Sequence, residues 1–545
     1  MNSESVDTFD YVIVGGGAAG CVIASRLTED SRVTACLLES GTKDTHPLIR
    51  IPAGVLRLLF NPKVAFQYRT EPSAGTGGRR VHAPQGHTLG GSSSINGMVY
   101  NRGQAQDFDT WEDLGNAGWS YRDILPYFKR SEQRVGVEPD QYHGSLGPIP
   151  VSDNDWKTPF SEAFIDGVSK LGIPRNPDYN GASQAGVGYV QRVVKNGLRV
   201  NAARGFIKPA LNRPGLDVRT ESHVVKILLE GNRAVGVRYA HPKSPSQTFD
   251  VMARRGVIMT AGALNTPRLL QISGIGNPAD LAEIGVQTLV NAPGVGRNLR
   301  DHYGTRTVMR IKNSPTVNDL VRFPRLPFEV LKWLTGRPSI LGLSGSIGYV
   351  FWKSDPKMEL PDLQFVLQPV SLKSGQYGVL DDFSGMSLAS WPHRPYSTGW
   401  VRARSASPWD EPIIQPNYLS DERDQRAMIA GIRLTRKFLN TPELRNYVID
   451  EELPGRGVVT DEDLLEFAHQ CGTTIYHFNG TCRMGPRSDK DAVVSPDLKF
   501  YGIDNLRVAD ASIMPTTPSS NTYAPTLMIS EKAADLIRAG GSPAG

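Results

Sequence analysis

The sequence predicts an α/β chain (α+β taken as a whole) in two parts: a parallel, nucleotide-binding sheet, and an inserted unit built on a mainly antiparallel sheet. Three observations carry this prediction. An apolar run over 9–14 reads as a buried parallel strand, stops at glycines, and resumes as the helical stretch Cys21-Val22-Ile23-Ala24-Ser25-Arg26-Leu27. A second apolar strand, Thr34-Ala35-Cys36-Leu37-Leu38, ends on Glu39, 19 residues after Gly20. Residues 301–470 have another texture: 363–368 and 399–404 read as strands of a separate sheet, the latter alternating with period 2.

The glycines between the first strand and helix have the spacing of a dinucleotide-binding turn. Gly15 allows the tight bend, Gly17 lets a pyrophosphate approach the backbone, and Gly20 lets helix and strand pack closely. The helix start then offers free N–H groups and a partial positive charge to phosphates. Glu39 stands where an acidic residue accepts hydrogen bonds from an adenosine ribose. The first part is therefore expected to be Rossmann-like.

Composition narrows the remaining classes. At 545 residues there is room for two domains, or for one fold with a large insertion. A hydrophobic content of 39% and a charged content of 21% are those of a globular protein. Sixty basic against 55 acidic residues leave a net charge of +5, too balanced to argue for nucleic acid. The polar, acidic start (Met1 to Asp7 in sequence) resembles neither a secretory signal nor a transit peptide, and no apolar stretch approaches the ~20 residues of a membrane span. The four cysteines show neither metal-ligand nor CxxC spacing, so no metal is expected and a reducing, cytoplasmic compartment is the default.

Along the chain, 40–85 is rich in Pro and Gly. It leads into Gly86-His87-Thr88-Leu89-Gly90-Gly91-Ser92-Ser93-Ser94-Ile95-Asn96-Gly97, a backbone able to lie against a flat polar ligand. Short helical pieces follow over 111–114 and 121–129, and then strand-like runs over 217–219, 224–229, 234–239 and 248–252. The stretch 255–262 reads as a further buried strand ending on glycine, and 263–276 as a helix with a glycine cap. Residues 421–439 read as a helix with Met428, Ile432, Thr435 and Leu439 on one face; its acidic start and basic end suit the helix dipole. The 321–334 segment mixes Arg322, Arg325 and Lys332 with Phe323, Phe328, Leu331, Trp333 and Leu334. Two readings stand for it: a membrane-surface or access-lid segment, or an ordinary helix with one buried face and solvated charges.

The glycine-serine stretch, the 255–276 unit, Pro293-Gly294-Val295-Gly296-Arg297-Asn298-Leu299 and Asp301-His302 together resemble the glucose–methanol–choline (GMC) oxidoreductases. The C-terminal quarter extends the likeness. Ile475-Tyr476-His477-Phe478-Asn479-Gly480-Thr481 resembles the family's catalytic-histidine motif, 503–515 its last flavin-binding stretch, and 519–526 the start of its final helix. The sequence departs from the family pattern at His87, where a basic residue is usual, at Phe478 for proline, and at Tyr523 for asparagine.

The resemblance implies FAD-dependent oxidation of a primary alcohol to an aldehyde, in the manner of bacterial choline-dehydrogenase-like enzymes. It implies His477 as general base and Asn521 as the residue holding the alcohol oxygen. Implied cofactor contacts are Gly15, Gly17, Ala18, Ala19, Gly20 and Glu39; Gly90, Gly91, Ser92, Asn96, Gly97, Met98 and Val99; Val224, Ala261 and Gly262; and Asp510, Ala511 and Thr522. Ile95 occupies the position at which some members carry a flavin-linked histidine, so FAD is expected to be held non-covalently. The flavin-binding domain is expected over 8–155, 195–300 and 478–541, and the substrate-binding domain over 156–194 and 301–477. The electron acceptor is expected to be a quinone or other carrier, with oxygen as the alternative, and a non-redox lyase on the same scaffold is the more distant one. Peripheral membrane contact is compatible with this reading; a transmembrane span or a nucleic-acid partner is not.

Overall fold

The structure is a computed structural model describing residues 7–373, 375 and 378–540. Its centre is a seven-stranded sheet running Leu216–Arg219, Ala35–Leu38, Asp7–Val14, Ser244–Met259, Arg233–His241 and His223–Glu230, with Leu506–Val508 also paired to Ser244–Met259. Pairings within the first four strands and with Leu506–Val508 are parallel, and the last two strands form an antiparallel meander. The strand 7–14 is wholly buried in its second half, which explains why it reads as a continuous apolar run and not as an alternation. Val14 lies opposite Leu38 on one side and Met259 on the other, so three strands end at one level. In such sheets ligands bind outside the carboxyl ends of the strands.

Two sequence readings are corrected here. The runs 248–252 and 255–262 form one strand, Ser244–Met259. Its first half pairs with the meander and its second with Asp7–Val14 and Leu506–Val508, so exposure changes along a single continuous line. The helix expected over 263–276 spans Gly262–Ile272; Gly274 takes a left-handed φ of 84° and turns the chain into the short strand Ile275–Gly276.

The second large sheet is antiparallel throughout, in the order Val448–Leu453, Tyr303–Ile311, Gly385–Pro392, Leu363–Gln368, Gly348–Trp352 and Gly186–Tyr189, with Thr473–Thr474 paired to the second of these. The helix Glu422–Leu439 lies on it and buries Met428, Ile432, Thr435 and Leu439, as its periodicity predicts. Asp421 caps that helix by accepting from the Arg423 N–H at 2.9 Å. The 399–404 stretch does not join this sheet: Trp400–Arg402 pairs only with Ile413–Gln415, in a two-stranded ribbon. Alternation specified a strand there, but not its partner, which lies in a ribbon of its own.

The final helix, Tyr523–Ala539, runs through the core and is buried over most of its length. Glu531 within it is fully buried and is compensated by Arg26, Arg130 and the Ser131 hydroxyl. The helix Arg325–Leu334 behaves otherwise. Leu326, Glu329 and Trp333 turn inward, giving the one buried face expected of an ordinary helix, but Phe328, Leu331 and Leu334 lie outside that face in solvent. No helix among the described residues is long and apolar enough to cross a membrane.

Candidate active site

A cavity of about 920 Å³ lies between the two sheets, lined from one side by Gly15, Ala261 and Asp510 and from the other by Thr305, Val366 and Trp391. Its two ends are built differently.

At the strand ends the wall is mostly backbone. Gly15 has φ of 106°, and a Cβ there would lie 2.6 Å from the Thr260 carbonyl oxygen. A Cβ on Gly20 would lie 2.0 Å from the Gly15 oxygen, so helix and turn touch with no room for a side chain. Gly91 (φ 53°) would press a Cβ to 2.7 Å from the Gly17 Cα, so the glycine-serine stretch lies directly over the turn. Glu39 is buried and accepts from the Gly16 and Gly41 N–H groups at 2.8 and 2.7 Å. Burial pushes its carboxyl up to about 7, partly offset by those two hydrogen bonds. Asp510 joins the C-terminal stretch to this end, accepting from Gly262 N–H at 2.9 Å, Thr266 Oγ1 at 2.7 Å and Ser512 N–H at 2.8 Å.

Of the expected cofactor contacts, Gly17, Ala18, Ala19, Ser92, Asn96, Gly97, Met98, Val99, Val224, Gly262, Ala511 and Thr522 line the cavity with those named above. Gly20 and Gly90 do not line it. Their work is steric: Gly20 permits the close helix contact, and Gly90 holds a φ of 90° while its N–H donates to the Gly16 oxygen at 2.7 Å. His87 also lies outside the wall. Its ring stacks on Phe66 at 3.9 Å and burial lowers its pKa to about 4, so a neutral ring replaces the family's basic residue. Phe478 and Tyr523 both line the cavity.

The other end is made of side chains. Asn521 Nδ2 is 3.1 Å from His477 Nε2, His477 Nδ1 is 2.8 Å from His302 Nδ1, and His302 Nε2 is 2.6 Å from the His393 carbonyl oxygen. The carbonyl can only accept, so His302 carries its proton on Nε2 and offers a lone pair at Nδ1. His477 must then donate from Nδ1, which leaves the lone pair of Nε2 turned to Asn521. Both rings are neutral: burial drives His477 well below the ordinary 6.5, with the neighbouring His302 adding to it, and takes His302 to about 4. Asn521 Oδ1 is buried and has no partner among the described residues.

The backbone around His477 is fixed as firmly. Asp301 accepts the His477 N–H at 2.7 Å and also binds the Tyr418 and Thr474 hydroxyls. Burial raises its carboxyl to about 7 against those bonds. Tyr476, immediately before, takes a left-handed φ of 65°, a strained conformation that persists only where its surroundings impose it.

The sequence marked Asp301 and His302 as part of the family resemblance without giving them roles, and it missed His393 and Arg199. Arg199 is 1% exposed. Its Nη1 donates to Asn96 Oδ1 at 2.7 Å and to the Ser93 oxygen at 3.1 Å, while Nε and Nη2 find no partner among the described residues. Burial without a carboxylate lowers its pKa to about 9, with the buried Tyr523 the neighbour that opposes this. No local motif could have shown that this arginine ends beneath Asn96.

Such a site, with a glycine cradle whose close approaches leave no space for a Cβ, a buried acid at a strand end and orphaned polar atoms deeper in, fits an FAD running from the turn toward Asn521. The chain matches the GMC oxidoreductase family over residues 9–304 and again over 395–530, and it belongs to that family. It is thus an FAD-dependent oxidoreductase. It is 39% identical to the alcohol dehydrogenase [acceptor] of Pseudomonas putida, over 97% of this chain and 95% of that protein. It is also 37% identical to the oxygen-dependent choline dehydrogenase of Vibrio vulnificus, over 97% and 94% respectively. Among solved structures, pyridoxine 4-oxidase from Mesorbium loti superposes with a TM-score of 0.88 at 32% identity, covering 97% of this chain and 98% of that one.

Proposed function

We propose that the protein oxidises a primary alcohol to an aldehyde, with His477 as the proton acceptor and Asn521 as the residue that orients the hydroxyl. The observation that supports this most directly is the chain His393 carbonyl–His302–His477–Asn521, which fixes a neutral imidazole with an unprotonated Nε2 that accepts from Asn521 Nδ2. FAD, when bound, supplies the acceptor for the hydride. The protein's own part is orientation and proton transfer. Asp301 holds the His477 backbone, His302 holds its tautomer, and Nε2 takes the hydroxyl proton while His302 continues to accept from Nδ1–H. The unpartnered Asn521 Oδ1 suits a hydroxyl donor. Gly15, Gly17, Ala18, Ala19, Gly91, Ser92 and Gly262 would hold the phosphates and nearby backbone, Glu39 the ribose, Val224 the adenine, and Asn96 to Val99, Asp510, Ala511 and Thr522 the remainder.

The same reading assigns residues 8–155, 195–300 and 478–541 to cofactor binding, and 156–194 and 301–477 to substrate binding. It holds FAD non-covalently, since Ile95, buried at the cavity wall, offers no nucleophile. It gives the electrons to a quinone or other carrier, with oxygen, for which the Vibrio vulnificus relative is named, as the alternative. It places the protein in the cytoplasm, in keeping with four unpaired cysteines, and in peripheral contact with a membrane.

Anaerobic stopped-flow reduction of flavin-loaded enzyme tests the assignment. His477→Ala should keep fold and flavin, yet be reduced by alcohol at least ~10²-fold more slowly. In the wild type the depressed pKa keeps Nε2 unprotonated as pH falls, so the reduction rate should stay level through pH 6.5 and decline only well below it. A His477→Ala enzyme within a few-fold of wild type would place the base elsewhere. Acid denaturation of the same samples should leave the yellow colour in the supernatant, and colour in the pellet would show a covalent link. Hydrogen peroxide formed in air at the dye-coupled rate would make oxygen the acceptor.

A further inference from the structure

The Arg325–Leu334 helix is turned inside out relative to an ordinary surface helix. At 100° per residue, Leu326, Glu329 and Trp333 share one side, and Phe328, Leu331 and Leu334 lie together on another. The first set faces the protein: Glu329 is buried, and Trp333 Nε1 donates to the Gly197 oxygen at 2.9 Å. The second set faces out, with Phe328 65%, Leu331 58% and Leu334 69% exposed, and the neighbouring Phe323 reaches 88%. A surface helix that buries its acid and exposes its leucines and phenylalanines is not explained by its own packing.

The charge flanking this face is mainly positive, the acid within electrostatic reach of Arg322 being Asp382, which Lys373 already holds at 2.7 Å. The only acid of the helix, Glu329, is paired with Lys332 at 2.6 Å. Arg322, Arg325 and Arg337 are exposed and make no ion pair among the described residues. An apolar ridge flanked by unpaired arginines has the chemistry of an interfacial helix on anionic lipid: rings and leucines enter the acyl boundary while guanidinium groups meet phosphates. An acidic protein surface would satisfy the arginines but leave no use for so exposed an apolar ridge.

The helix is fastened rigidly to the rest of the protein. Ser339 Oγ donates to the Glu329 oxygen at 2.8 Å, and Ile340 N–H donates to Glu329 Oε2 at 3.1 Å. A few residues on, Gly345 N–H donates to the Gly97 oxygen at 2.9 Å, and both Gly345 and Gly97 line the cavity.

We propose that this face, formed by Phe323, Phe328, Leu331 and Leu334 with Arg322, Arg325 and Arg337, docks the protein on an anionic phospholipid bilayer. The proposal deepens the peripheral contact in the reading above by naming its surface and its lipid. It is independent of His477, because none of these residues lines the cavity. Docking would bring the 339–344 stretch, which leads to Gly345 and Ser346 of the cavity wall, toward the lipid.

The test is co-sedimentation of the flavin-loaded full chain with vesicles of phosphatidylcholine alone, or with about a third phosphatidylglycerol. Wild type should partition to the anionic vesicles and be released by salt, since each arginine near the surface contributes on the order of 1 kcal/mol. The combined change Arg322→Ala, Arg325→Ala and Arg337→Ala should weaken partition roughly a hundredfold. Phe328→Asp with Leu331→Asp should abolish it; these positions are exposed, and unchanged flavin absorbance and dye-coupled activity would confirm the fold. Wild type remaining in solution with anionic vesicles at low salt would overturn the proposal. So would equal binding by the Phe328→Asp, Leu331→Asp protein, or a wild-type dimer that this variant dissolves without any change in lipid binding. Loss of alcohol oxidation by His477→Ala leaves the partition result untouched, so the two readings fail separately.

Discussion

The two ends of the cavity contrast in what they are made of. The turn end is backbone against backbone: Gly15 against Thr260, Gly20 against Gly15, and Gly91 against Gly17. The histidine end is side chains from segments far apart in sequence, with 175 positions between His302 and His477 and 44 between His477 and Asn521. The contrast teaches that binding and chemistry are separable here. At Gly15, Gly20 and Gly91 the first end has no room for a side chain, and no proton transfer to substrate is assigned to it. The second depends on which nitrogen holds a hydrogen.

That contrast can be broken by experiment, and the largest effect is expected at the turn. Gly15→Val requires a β-branched residue at φ of 106° with its Cβ pressed on the Thr260 oxygen. It should cost more than about 3 kcal/mol and yield protein without flavin, if any folded protein at all. Absorbance at 450 nm per mole of purified chain measures this. A flavin-loaded Gly15→Val enzyme would show that the turn is less constrained than its contacts indicate.

A smaller effect, confined to chemistry, is expected at His302. His302→Leu removes the acceptor that holds His477 in its Nδ1–H tautomer, and reduction should slow by roughly tenfold while flavin content stays unchanged. His302→Gln keeps both an acceptor and a donor and should recover most of the rate. If Leu and Gln behave alike in reduction rate and in pH profile, His302 serves packing only.

An effect of similar size, but on charge near the flavin and not on the rate of proton transfer, is expected at Arg199, which belongs to both ends: it is a side chain, but it acts on Asn96 within the glycine-serine stretch. Its unpaired guanidinium should favour negative charge on a bound group nearby. Arg199→Met should therefore weaken sulfite addition to the flavin by roughly tenfold, the value of a charge-assisted hydrogen bond. Unchanged sulfite affinity, with flavin content preserved, would restrict Arg199 to supporting Asn96.

The sequence by itself determined what local geometry dictates. The Gly15–Gly17–Gly20 spacing, the buried strands, the Glu39 position and the periodic face of Glu422–Leu439 were legible because backbone sterics and hydrophobic period act within a few residues. The flavin family was legible because its motifs are local too. Tertiary structure decided the rest. That Trp400–Arg402 pairs in its own ribbon, and that 244–259 is one strand and not two, follow from which strands pair with them. That His302 orders His477, and that Arg199 lies beneath Asn96, follow from chain segments meeting across more than a hundred residues. Which face of Arg325–Leu334 points outward was also beyond the sequence. Its period fixes which residues share a side, but only the position of Trp333 against Gly197 fixes which side the protein takes.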